Sequence, residues 1–131
     1  MAFWRCYYHV VWATKYREAI ITPPLEQVIL AAIEQKSIEL GSVMLAANSA
    51  GDHVHVAASI PPAIAISKWV GLVKGASSRA VNIGFDLPDR FHWQESDGVM
   101  TFGEQALPMV TQYIASQKQR HATNGTNAYL E

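Results

Sequence analysis

An α+β fold of the split βαβ kind is what this sequence predicts, and three observations carry it. Segments whose apolar residues alternate with period two are interleaved with segments whose apolar residues recur near 3.6. Their order along the chain is strand, helix, strand, strand, helix, strand or hairpin, then helix. Hydrophobic residues make up 50% of the 131 positions and charged ones only 16%, which suits one packed domain over residues 1–131 and excludes a disordered chain.

Phe3 to Thr14 is rich in aromatic and β-branched residues, which favour a pleated surface, so it reads as the first strand. Thr22-Pro23-Pro24 marks a helix start, since proline is tolerated in a first turn where its missing N–H costs nothing. Leu25, Val28, Ile29, Ala32, Ile33 and Leu40 then share one helical face up to Gly41. Val43–Ala47 and His53–Ile60 read as two strands of a hairpin joined by Asn48-Ser49-Ala50-Gly51-Asp52. A second helix is expected from Ile64 to about Ile83, with Trp69, Val70 and Val73 inward. Phe91–Gln94 and Val99–Phe102 read as short strands around an Asp97-Gly98 turn, and a last helix runs from Leu107-Pro108 to about His121. This order is the ferredoxin-like arrangement, an antiparallel sheet with helices, plus a C-terminal helix that carries Tyr113.

Charge and cysteine usage narrow the class. The net charge is −1, so a nucleic-acid partner has to be met by local basic clusters: Lys15 and Arg17; Lys68, Lys74 and Arg79; Lys118 and Arg120. A single cysteine, Cys6, excludes an internal disulfide framework and fits a reducing compartment. The first residues lack the order of a signal peptide and the length of a membrane span, which predicts a soluble cytoplasmic protein with no membrane partner.

Two short stretches carry the chemistry. In Gly51-Asp52-His53-Val54-His55-Val56 the strand period puts His53 and His55 on one face, about 7 Å apart and able to converge on one metal ion. In Tyr113-Ile114-Ala115-Ser116-Gln117 the helix period puts the Tyr113 hydroxyl and the Gln117 amide together. On spacing alone, such histidines are more often satisfied surface or core groups, and a tyrosine there is more often core with its hydroxyl at the rim. Trp4, Trp12 and Trp69 are able to stack on bases, with core packing the better reading for most of them.

The pattern as a whole resembles a family. Tyr8-His9-Val10-Val11-Trp12-Ala13-Thr14-Lys15-Tyr16-Arg17 looks like the opening strand of the single-tyrosine HUH transposases of small bacterial and archaeal insertion sequences. Asp52-His53-Val54-His55 resembles their His-hydrophobic-His motif, and Lys74-Gly75-Ala76-Ser77-Ser78-Arg79 resembles a helix segment of theirs. Trp93-Gln94, Thr101-Phe102-Gly103, and Tyr113-Ile114 with Gln117 and His121 complete the likeness over nearly the whole chain. It departs at the acidic Glu95-Ser96-Asp97-Gly98, where the family usually has a glycine-aromatic-glycine stretch, and at Arg120-His121, where paired histidines are common.

The resemblance implies that Tyr113 is the nucleophile, and that His53, His55 and Gln117 hold Mg2+ or Mn2+. It implies cleavage and rejoining of single-stranded DNA beside hairpin ends through a 5′-phosphotyrosine link, by a homodimer. A phenol ionises only near pH ~10, so it needs charge relief on the phosphate it attacks. Asp52 and His121 are candidates to orient the ligands from behind, while Lys15, Arg17, Lys74, Ser77, Ser78 and Arg79 are candidates for DNA contact. Two other functions compete: a domesticated relative that binds hairpin DNA without transposing, and a metal-dependent enzyme acting on small molecules.

Overall fold

The computed structural model describes residues 3–118. Four strands, β1 (Tyr7–Thr14), β2 (Val43–Ser49), β3 (His53–Ser59) and β4 (Trp93–Phe102), form one antiparallel sheet in the order β2-β3-β1-β4. Helices α1 (Pro23–Glu39) and α2 (Ile66–Gly84) follow β1 and β3, and α3 (Leu107–Ala115) follows β4. This is the split βαβ topology with a C-terminal helix, as the element order predicts. No helix among the described residues is long and apolar enough to cross a membrane.

Strand alternation divides the work of the two faces. The even positions of the central pair, Val10, Trp12, Val54, Val56 and Ala58, join Ile29 and Ile33 of α1 and Trp69, Val70 and Val73 of α2 in one buried core. Trp12 and Trp69 are therefore packing residues, as read from the sequence. The odd positions, including His9, Val11, His53 and His55, face the other way, and α3 covers that side over β2 and β3. The chain leaves α1 through Gly41, whose φ of 74° is the left-handed turn that glycine adopts without steric cost.

The Asp97-Gly98 hairpin expected between two short strands does not form. β4 is one strand of ten residues in which Asp97 pairs with Trp12 and Gly98 with Val11, and Gly98 does not take a left-handed φ. The eight residues of β1 need partners on this side, and a continuous strand supplies them where a detached hairpin would not. The acidic stretch is absorbed by a shift in register instead: between Trp12 and Thr14, β4 advances from Asp97 to Trp93. The Lys74 ammonium donates to the carbonyls of Gln94, Glu95 and Ser96 at 2.7, 3.2 and 3.5 Å, satisfying groups that the shift takes off the ladder. The hairpin link is also shorter than expected, because β2 runs on through Asn48 and Ser49.

Candidate active site

The odd face of the central strands gathers three imidazoles. His53 and His55 are fully buried and His9 nearly so, with ring centroids 5.0 Å apart for His53 and His55 and 5.2 Å for His9 and His55. The register explains the third: Val11 stands opposite His55 and His9 opposite Ala57, so His9 lies diagonal to His55 on the same face. Its Nε2 is 3.0 Å from His55 Nδ1.

Each of the two strand-β3 histidines has a partner at its Nδ1. Asp52 Oδ1 lies 2.6 Å from His53 Nδ1, so a proton on Nδ1 donates to the carboxylate and the lone pair is on Nε2. Burial pushes the Asp52 carboxyl up, but His53 and the Arg17 guanidinium outweigh it and hold it below the usual range. Burial also pushes the His9 imidazole down to about 4, so it is neutral near pH 7. A neutral His9 shares one proton with His55 across this contact, and the tautomer that has His9 accepting at Nε2 is the one that leaves the His55 lone pair on Nε2. Arg17 Nε donates to Asp52 Oδ2 at 3.3 Å, tying the turn after β1 to the start of β3.

Helix α3 brings Tyr113 onto this cluster. Its ring meets His55 edge to face at 5.9 Å and His9 at 6.2 Å, and the side chain is half-buried. Gln117, one turn on, is fully buried; its Nε2 donates to the Tyr113 carbonyl at 3.0 Å. Two buried side-chain polar atoms have no hydrogen-bond partner among the described residues, Trp12 Nε1 in the core and Gln117 Oε1 here. The helix is clamped from β2. Asn48 Nδ2 donates to the carbonyls of Ile114 and Ala115 at 3.0 and 3.1 Å, and Lys118 Nζ reaches Glu26 Oε2 and Asn48 Oδ1, both at 2.6 Å.

The residues singled out from the sequence do not all gather here. His53, His55, Asp52, Tyr113 and Gln117 do, with Lys15 and Arg17 in the turn beside them. Lys74, Ser77, Ser78 and Arg79 lie on α2, on the opposite face of the sheet. Ser77 is fully buried, donating to the Val73 and Lys74 carbonyls and accepting from Trp93 Nε1 at 2.9 Å, so its hydroxyl belongs to the core. Ser78 donates to the Gly75 carbonyl, and only Arg79 of the four is exposed. His121 lies outside the described residues. The reading of single motifs missed His9 and Asn48. His9 belonged to an apolar strand, Asn48 to an apparent turn, and neither position shows its role without the pairing of β1, β2 and β3.

Among the described residues no three His, Cys, Asp or Glu side chains are grouped to hold a metal ion. Gln117 Oε1, buried and without a hydrogen-bond partner among the described residues, is an oxygen of the kind that could join two histidines on a metal ion. Beside the cluster, a cavity of about 140 Å3 opens over β1 and β4, lined by Val11, Arg17, His53, Gly98 and Met100 among others.

Comparison with known proteins places this architecture. The family model described as "Transposase IS200 like" matches residues 2–117. A transposase of insertion sequence element IS200 from Salmonella typhimurium is 30% identical over 120 residues, covering 87% of this chain and 78% of that protein. The ISDra2 transposase TnpA of Deinococcus radiodurans is 25% identical over 118 residues, covering 86% and 84%. A crystal structure from Deinococcus radiodurans, provisionally assigned as a transposase, superposes with a TM-score of 0.72 at 27% identity, covering 88% of this chain and 92% of that one. A REP-associated tyrosine transposase bound to a REP hairpin shares the fold, with a TM-score of 0.67 at 15% identity over 92% of this chain and 74% of that one.

Proposed function

Since the chain belongs to the IS200-like transposase family, we propose that it cleaves and rejoins single-stranded DNA through Tyr113, with a divalent ion held by His53, His55 and Gln117. The observation that carries this is the Tyr113 ring resting on His9 and His55, with the buried Gln117 Oε1 one helical turn away. Mg2+ or Mn2+, when bound, would draw charge from a phosphate and steady the leaving oxygen. Two imidazoles and one amide add no negative charge to the ion, which keeps it strongly electrophilic.

The residues of this chain do the rest. Asp52 and His9 hold the ring planes of His53 and His55, and the Asp52 carboxylate, which only accepts, sets the tautomer of His53. Asn48 and Lys118 hold the end of α3, and so the height of Tyr113 above the sheet. The Tyr113 oxygen forms a bond to phosphorus as the bond to the 3′ oxygen breaks; the phenol gives up its proton and the 3′ oxygen ends as a hydroxyl. The resulting 5′-phosphotyrosine ester retains the bond energy, so the reverse attack by a 3′ hydroxyl rejoins strands without ATP. The open cavity over β1 and β4, with Arg17 at its edge, is the path for the strand. Hairpin-bearing DNA is the proposed substrate and a homodimer the proposed assembly.

The test is covalent capture. Purified protein with Mn2+ and labelled single strands from the DNA flanking its gene should give a shifted, protease-sensitive band on a denaturing gel, lost on chelation. Hairpin binding without that band would replace this reading by a binding-only relative.

Positioning is open to a separate check. Asn48→Ala withdraws both donors from the end of α3. We expect a loss of about 1–2 kcal/mol in stability, read by urea unfolding. Adduct formation should slow by roughly 10-fold or more, because small misplacement of a nucleophile is costly. An unchanged rate would mean that this clamp does not set the height of Tyr113.

A further inference from the structure

The turn after β1 holds an exposed aromatic ring in a strained conformation. Tyr16 and Arg17 both have left-handed backbones, with φ of 61° and 52°, which is unfavourable for every residue but glycine. The turn is held by its neighbours: Thr14 N–H donates to the Asp52 carbonyl at 2.8 Å, Lys15 N–H donates to the His92 carbonyl at 3.0 Å, and Arg17 bonds Asp52. These bonds maintain the conformation without calling for a tyrosine. The ring does little for the core, since Tyr16 is 78% exposed. The Lys15 ammonium lies 5.4 Å from its centroid.

Tyr16 borders a cavity of about 410 Å3 that also meets Leu25, Leu87, Arg90 and His92, within the size range of small-ligand sites. The same turn separates this cavity from the smaller one lined by Arg17 and His53. Lys15 and Arg90 bring two cations to the larger cavity, and Glu18 and Asp89 two carboxylates. The charges cancel, so the cavity suits a neutral occupant better than a phosphate, with carboxylates placed to accept from exocyclic amines.

We propose that this cavity is a nucleobase site, in which one unpaired base of the bound DNA strand stacks on Tyr16 while the backbone crosses the turn toward His53. The proposal rests on the single-strand cleavage reading above. It gives the strain a purpose: the left-handed turn carries the ring out to the mouth of the cavity and the Arg17 guanidinium back to Asp52.

The test couples the ring to a particular base. Single strands from the DNA flanking the gene, each with one abasic site, are titrated against protein carrying Tyr113→Phe, so that binding is read without cleavage. One position should cost this protein roughly 5- to 150-fold in Kd, the size of one lost stack. Tyr16→Leu added to it should weaken binding of intact DNA by the same factor and make that abasic site cost nothing further. Tyr16→Gly should lose the same affinity while its Tm rises by about 2–5 °C, because glycine accepts the turn; a tyrosine that merely supported the fold would lose both. Tyr16→Leu binding as tightly as its parent, or weakening every abasic strand equally, would overturn the base site and leave strand cleavage standing. Failure of the Tyr113→Phe parent to bind any of these strands would sink the cleavage reading and the base site together.

Discussion

Tyr113→Phe is expected to remove the covalent DNA adduct altogether and to slow strand cleavage by about 10^4-fold or more, ~5.5 kcal/mol of barrier. The size follows from the chemistry. A nucleophile contributes a bond that no neighbouring group can form, and removing it leaves only positioning and charge relief. The substitution is conservative because phenylalanine keeps the ring that packs on the two histidines. The edge-to-face contacts with His9 and His55, at 6.2 and 5.9 Å, need no hydroxyl. Stability should therefore change by about 1 kcal/mol or less, and Mn2+ affinity, read by titration of the metal alone, should stay within roughly threefold. Residual adduct on the gel would move the nucleophile elsewhere. Loss of metal binding together with the adduct would mean that the hydroxyl, and not the ring alone, holds the site together.

The parts of this site that were legible in the sequence are those set by a local period. Alternation alone puts His53 and His55 on one face, and the turn of a helix alone puts Gln117 behind Tyr113. The other contributors depend on which strands meet. His9 reaches His55 across 46 positions because β1 and β3 pair in one register, and a slip of one residue would turn it into the core. Asn48 read as turn material, since asparagine favours turns, yet tertiary pairing draws it into β2 opposite His55. The same cause misled at β4. Asp97-Gly98 is a strong local signal for a hairpin, but β1 required a partner along its whole length and the local preference gave way. Lys74 and Ser77 carry surface-type groups that a helical wheel cannot assign, and the fold uses both internally, on the β4 carbonyls and the Trp93 indole.

Gln117→Leu should separate stability from function in opposite directions. The Gln117 carbonyl oxygen is buried with no partner among the described residues, and an unsatisfied buried acceptor costs about 1–3 kcal/mol. Leucine is of similar size and carries no such penalty, though the bond from Nε2 to the Tyr113 carbonyl goes with it, a loss of about 1 kcal/mol. The metal-free variant should thus unfold at the same temperature as its parent or a few degrees higher, roughly 2–5 °C. With the metal the sign reverses. Removal of one of the three proposed ligands should weaken Mn2+ by about 10^2-fold or more, ~2.7 kcal/mol, and adduct formation should fall with it. A residue retained for packing would lose stability on substitution and leave Mn2+ affinity alone. A residue retained as a ligand keeps an oxygen unsatisfied in the folded chain so that a cation can take it up, and only that explanation predicts a variant that melts no lower and binds metal less. Calorimetry of the metal-free protein alongside Mn2+ titration reads both quantities, and a lower melting temperature with unchanged affinity would return Gln117 to the core.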